Sequence, residues 1–341
     1  VIPLLVCDDS NMARKQLIRA LPADWPVSIS QASNGQEALA AIRQGLGQVM
    51  LLDLTMPVMD GYQTLAALRE EGLPCRVVVV SGDVQEEAVR RVKALGALAF
   101  LKKPADPEAL RATLADLGLL DLRPPAPAPT TAPAPARPPQ DALDGLKVNF
   151  RDALREVTNV AMGRAAALLA KVLGVFVQLP VPQVNIFEVS ELHMTLSDAQ
   201  RGERLSAACQ GFIGDGIAGE ALLLFHDSEV SDMARLLKWQ PKDDNETSEM
   251  LLDLSSILIG ACLSGISEQI DVRFSQGHPT LLGQHASIER LIQLNQKRWK
   301  KTLAVEISYS LEGDQIHFDL LLLFTEDSIR RLTHKLNYLL N

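Results

Sequence analysis

Up to residue 122 the chain switches regularly between two hydrophobic rhythms. IPLLVC (2–7), VSISQA (27–32), VMLLDL (49–54), RVVVV (76–80) and AFLKK (99–103) are short apolar or β-branched runs of strand length. Between them, stretches such as Gln36–Gln44 and Glu86–Leu95 carry apolar residues at helical spacing. Five strand–helix repeats predict a doubly wound, five-stranded parallel α/β sheet, whose ligands sit at the carboxyl ends of the strands.

The rhythm stops at residues 123–139, RPPAPAPTTAPAPARPP, which hold almost no large apolar side chain. Such a tract cannot bury a core and favours extended polyproline II, so 123–140 reads as a semi-rigid linker between domains at 1–122 and 141–341. The second domain repeats itself at a shift of about 97 residues. Asp152-x3-Glu156-x2-Asn159-x3-Gly163 returns as Glu249-x3-Asp253-x2-Ser256-x3-Gly260, and GEALLLFHDSEVSDMARLL (219–237) returns as HFDLLLLFTEDSIRRLTHKL (317–336). Each half runs helix, strands, closing helix. The simplest architecture is an α/β (α+β) domain whose two halves share one sheet about a pseudo-two-fold axis.

Composition narrows the function. A net charge of −9 without a basic stripe argues against nucleic-acid binding. Four scattered cysteines (Cys7, Cys75, Cys209, Cys262) without a CxxC pair read as reduced thiols of a cytoplasmic protein. No apolar run approaches the roughly 18 residues of a membrane span. The richest, Leu251–Ile266, is interrupted by Asp253, Ser255, Ser256 and Gly260. The chain opens directly on a strand, with neither an initiator Met nor a signal-peptide segment, and reads as trimmed at its start.

Chemistry gathers at the strand ends. Asp8 and Asp9 end the first run, Asp53 the third, Ser81 the fourth and Lys103 the fifth. In a parallel sheet these positions converge on one edge. Three carboxylates make an oxygen-rich Mg²⁺ site. The cation and a lysine offset phosphoryl charge, and a hydroxyl bonds a phosphoryl oxygen. Lys102 competes with Lys103 for the lysine role. Strand alternation from Phe100 puts the two on opposite faces, and Lys103 directly precedes Pro104.

The ordered set DD (8–9), DLTMPVMDG (53–61), SG (81–82) and KKP (102–104) resembles the response-regulator receiver family over about residues 1–120. The resemblance implies that Asp53 is phosphorylated by a cognate sensor histidine kinase. It makes Asp8, Asp9, Asp53 and the Thr55 backbone carbonyl the Mg²⁺ partners, Ser81 the switch hydroxyl and Phe100 the switch aromatic.

In the second domain, rotation by about 100° per residue from Phe150 places Leu154, Val157, Ala161, Ala165 and Leu168 on one core face. Asp152, Glu156, Asn159 and Gly163 fall on the opposite face, predicted to be an exposed stripe. This pattern, with GIAGEALLLF at 216–225, resembles the CheC/CheX/FliY family of response-regulator phosphatases. The resemblance implies that Asn159 orients a water in line with an aspartyl phosphate, while Glu156 pairs with the lysine of a docked receiver. Asp253 and Ser256 shorten both side chains in the second copy, so one working site is expected and that copy is read as degenerate. The implied substrate is a phosphorylated CheY-like receiver, acted on in trans. The competing reading is a non-enzymatic module that docks a partner regulator or a CheD-like protein. FIGDGIAG near 212–219 reads as a hairpin turn. QKRWKK (296–301), the polar stretch Ser197–Arg204 and six histidines without metal spacing read as surface or core.

Overall fold

The computed structural model describes residues 1–122, 143, 146–187, 204–286, 302–313 and 315–340. The Pro/Ala spacer, His193, QKRWKK and most of Ser197–Arg204 lie outside the described residues. The chain forms two compact units, Val1–Glu156 and Val157–Asn341.

The first unit begins with the expected alternation. Strands β1 (Ile2–Cys7), β2 (Val27–Ala32), β3 (Val49–Leu52), β4 (Arg76–Ser81) and β5 (Ala99–Lys102) alternate with helices α1 (Asn11–Ala20), α2 (Gly35–Arg43), α3 (Gly61–Glu70), α4 (Glu86–Ala94) and α5 (Pro107–Asp116). All pairings are parallel, in the order β2-β1-β3-β4-β5. Alternation along each strand feeds two cores. Leu4, Val6, Leu51, Val78 and Val80 pack with α1 and α5, while Leu5, Cys7, Leu52, Val77 and Val79 face the other helices. Covering both faces is why β3 and β4 read as unbroken apolar runs. Side-chain caps start four of the helices: Ser10, Asn34, Asp60 and Asp106 each accept from an amide in the first turn.

This unit also takes in the chain beyond the spacer. Leu143 and Leu146 pack against the core holding Leu110, Leu114 and Leu119, and the unit ends in the first two turns of α6 (Phe150–Leu173).

The second unit holds the rest of α6 and a mixed α/β body. Its further elements are β6 (Val177–Gln178), β7 (Gln183–Phe187), β8 (Leu205–Gly214), β9 (Ile217–His226), α7 (Val230–Leu236), α8 (Asp244–Ile270), β10 (Ser275–Gln276), β11 (Thr280–Ala286), β12 (Thr302–Leu311), β13 (His317–Thr325) and α9 (Glu326–Leu340). One eight-stranded antiparallel sheet runs β10-β8-β9-β13-β12-β6, with β11 also on β8 and β7 also on β12. β8 starts at Leu205 and β12 at Thr302, the offset read from the sequence. The halves meet at the β9–β13 seam and exchange their short edge strands. β8 turns into β9 through Asp215 and Gly216, both with positive φ (49° and 76°), which confirms the expected hairpin.

Two expectations about helices change. By length and composition, α8 does qualify as a possible membrane span. It is instead a core helix: Leu251, Leu254, Leu258, Ile259, Cys262 and Ile266 are buried, and it packs on β8, β9 and α9. Asp253 and Ser256 are exposed on the other side, and the buried Ser255 hydroxyl donates to the Leu251 carbonyl at 2.6 Å, so these residues interrupt the run in sequence without breaking the apolar face. On α6, Leu154, Val157, Ala161 and Ala165 are buried as expected, but Leu168 is 42% exposed. Gly265 of α8 lies against α6, where an added Cβ would be 2.8 Å from Ala161 Cα. Only glycine lets the helices come so close.

Candidate functional site

The carboxyl edge of the first sheet gathers what the sequence placed there. Asp8 and Asp9 follow β1, Asp53 follows β3, Ser81 ends β4 and Lys103 follows β5. Backbone bonds join these ends: Asp53 N donates to Cys7 O at 2.9 Å and Lys103 N to Ser81 O at 2.9 Å. Gly61 lets α3 begin against the end of β3, since a Cβ there would lie 2.4 Å from Asp53 O.

Lys103 Nζ lies 2.6 Å from Asp8 Oδ2, 3.2 Å from Asp53 Oδ2 and 3.2 Å from Glu156 Oε1. Lys102 is exposed and outside the cluster. Both oxygens of Asp53, with Asp8 Oδ2 and Asp9 Oδ2, are buried, and the charged ends of Lys103 and Arg155 are what approach them among the described residues. One oxygen from each of Asp8, Asp9 and Asp53 lies within 4.8 Å of the others. Three carboxylates with oxygens this close together fit a hard divalent cation such as Mg²⁺.

The electrostatics follow from crowding. Burial, opposed by the Lys103 charge, pushes the Asp53 carboxyl well above its ordinary range. Burial and the neighbouring Asp8 raise Asp9 to about 6. Burial also raises Glu156 to about 7. For Lys103, burial disfavours the ammonium, but Asp53, Asp8 and Glu156 outweigh it and hold the group charged. Five carboxylates, Asp8, Asp9, Asp53, Asp152 and Glu156, face two cations, Lys103 and Arg155, an imbalance that a divalent cation offsets.

The remaining receiver positions are ordered around this centre. Ser81 is fully buried and its Oγ accepts from Asp83 N at 3.2 Å. Thr55 is buried, and Phe100 is half-buried against the core on the α2–α4 side.

The stripe on α6 departs from expectation. Glu156 (4% exposed) and Asn159 (5%) are buried, Gly163 is buried and Asp152 half-buried, where an exposed face was predicted. For Glu156 the cause is the Lys103 pair. On α8 the matching Asp253 and Ser256 are exposed.

Several contributors had no signal in the sequence reading. Arg14 donates to the Asp8 carbonyl and the Asn11 side chain, and its Nε donates to Gln31 at 3.0 Å, so it braces the Asp8 backbone. Ser10 N donates to Asp8 Oδ1 at 2.9 Å. Arg155 Nη2 reaches Asp9 Oδ2 at 3.3 Å. Asp83, held by Gln85 and Tyr62, is raised to about 6 by burial. Arg155 directly precedes Glu156, a hint visible only once the partner of that turn is known.

Residues 4–115 match the family described as response regulator receiver domain. A protein-glutamate methylesterase/protein-glutamine glutaminase of Halalkalibacterium halodurans is 38% identical over 112 residues, 32% of this chain and 32% of its own length. The probable transcriptional regulatory protein NarL of Mycobacterium tuberculosis is 37% identical over 103 residues, 30% of this chain and 48% of its own. The chain thus spans about a third of one of these relatives and about half of the other. Among solved structures, Thermotoga maritima FliY aligns at 15% identity and a TM-score of 0.41, covering 55% of this chain and 96% of that one. The family match, together with the strand-end cluster it encloses, makes residues 4–115 a response regulator receiver domain.

Proposed function

We propose that the chain is a chemotaxis-type two-component response regulator of the cytoplasm whose residues 141–341 dephosphorylate a CheY-like receiver. Asp53 takes a phosphoryl group from a sensor histidine kinase, and its state modulates the second module. Asp8, Asp9, Asp53 and the Thr55 carbonyl would hold Mg²⁺, which supplies charge neutralisation for the phosphoryl oxygens. Lys103 and the Ser81 hydroxyl bind those oxygens, and Ser81 with Phe100 relays the change.

The observation that carries the phosphatase reading is the Glu156–Lys103 pair at 3.2 Å. It is a contact between the motif's acid and a receiver lysine, the anchoring role assigned to Glu156 toward a substrate receiver. Asn159 lies three residues on, close to one turn along the same helix face. Its carboxamide oxygen accepts one hydrogen of a water and aims the water oxygen at phosphorus. The water attacks, the P–O bond to the aspartyl carboxylate breaks, and inorganic phosphate leaves. Positioning supplies much of the rate in so loose a transfer, so no strong base is required.

The experiment is phosphate release from a phosphorylated CheY-like receiver, with intact protein and with Asn159→Ala. Loss of release in the variant supports the enzyme. Equal release rates, with binding retained, would leave a docking module for a partner regulator or a CheD-like protein, a reading favoured by the degenerate Asp253 and Ser256.

A further inference from the structure

The pocket around Asp53 is filled by a segment of its own chain. After the spacer, Leu143 and Leu146 seat on the receiver core, and the Lys147 carbonyl accepts from Asn11 Nδ2 at 3.0 Å. Asp152 then accepts from two backbone amides at the start of α1, Asn11 N at 3.1 Å and Met12 N at 2.8 Å. These are amides that a helix leaves without internal partners, and the positive end of α1 favours a carboxylate there. One turn on, Arg155 reaches Asp9 and Glu156 reaches Lys103. Two apolar anchors, a helix-end carboxylate and two opposite-sign ion pairs therefore follow one another along a single short segment.

The consequence lies in access. Asp53 is 1% exposed and both its carboxylate oxygens are buried. A phosphodonor must bring its phosphorus in line with one of those oxygens, which this closure forbids. Glu156 is equally engaged, so it is not free to meet the lysine of another receiver.

We propose that Leu143 and residues 146–156 are an intramolecular latch that masks the phosphoacceptor and the phosphatase anchor together. Phosphorylation of Asp53 and action on a partner receiver both require the latch to open. This regulation rests on the reading of Asp53 as acceptor and Glu156 as anchor.

The test uses the full chain with acetyl phosphate and Mg²⁺, following Asp53 labelling together with hydrogen exchange at the Asn11 and Met12 amides. In intact protein both amides are protected, and protection does not change on dilution. Asp152→Ala removes their acceptor, so both should exchange faster and labelling should rise about tenfold, as expected for losing hydrogen bonds to a charged group. Asp152→Asn, which keeps the shape of the side chain, should fall between the two. Fast exchange at both amides in intact protein would overturn the latch. So would protection that disappears on dilution, since it assigns the contact to a second copy. Unchanged or slower labelling in a variant whose amides have lost protection would overturn it too. Asp53→Asn separates the two readings: label persisting there refutes the acceptor, while the amide protection still reports the latch.

Discussion

Helices α6 and α8 carry one spacing of polar residues in two surroundings. On α6 the acid at the second motif position is 4% exposed, lies 3.2 Å from an ammonium and is raised to about 7 by burial. On α8 the corresponding Asp253 and Ser256 stand in solvent. A shared spacing therefore sets which residues share a helix face, and the partner that covers the face sets their chemistry. The glycines divide the same way. Gly260, at the last motif position of α8, has among the described residues only Gln276 Oε1, at 3.7 Å, near an added Cβ, whereas Gly265 on the inner face touches Ala161.

The largest difference expected between the two helices is catalytic. Asn159→Ala should lower phosphate release from a phosphorylated receiver by about a hundredfold or more, and Ser256→Ala should change it by less than about twofold. Equal losses in a phosphate-release assay would make the two helices equivalent. Next in size is packing. Gly265→Leu forces four extra carbons against Ala161 and should cost roughly 3 kcal/mol in urea unfolding. Gly260→Ala should gain about 0.5–1 kcal/mol, because its neighbourhood is open and alanine favours the helix.

Asp83 tests burial without any motif. Its folded pKa, about 6, lies above the ordinary 3.8, so the folded state holds its proton more tightly. The stability this contributes is complete below pH 3.8 and is lost as pH rises through about 6. Asp83→Asn should melt like the parent near pH 3.5 and gain on it up to pH 6, with a constant advantage above. An advantage independent of pH across that range would show that Asp83 is not the titrating group. Smallest is the Arg164–Glu268 pair that joins α6 to α8. With Glu268 largely exposed, Arg164→Ala should lower stability by under about 1 kcal/mol.

Much of the receiver was legible because a parallel sheet puts every strand end on one edge. Placing Asp8, Asp9, Asp53, Ser81 and Lys103 at strand ends was enough to bring them together. The burial of Glu156 was not legible, since its partner lies some fifty residues earlier and a helical wheel shows faces without showing what meets them. Leu168 misled for a related reason: apolarity places a residue on a stripe, but the stripe outruns the surface it packs on. For α8 the polar interruptions hid a continuous apolar face: Asp253 and Ser256 fall on the exposed side, and Ser255 satisfies its buried hydroxyl on the Leu251 carbonyl. The duplication itself was readable from the repeat, but which half each edge strand joins was not.

That exchange of edge strands sets an order of assembly during synthesis. β7 must wait for β12, more than a hundred residues downstream, before its backbone groups find a partner. At ribosomal speeds of roughly 5–20 residues per second, the wait is on the order of ten seconds. Over that interval the first half exposes one unpaired edge at β8, whose β10 and β11 neighbours also come later, and another at β9, which awaits β13. Such open strand edges are the surfaces most prone to pairing with the wrong chain. The duplicated unit thus emerges as an obligate whole, and a nascent chain truncated between the repeats is a candidate for chaperone capture rather than for folding as half a domain.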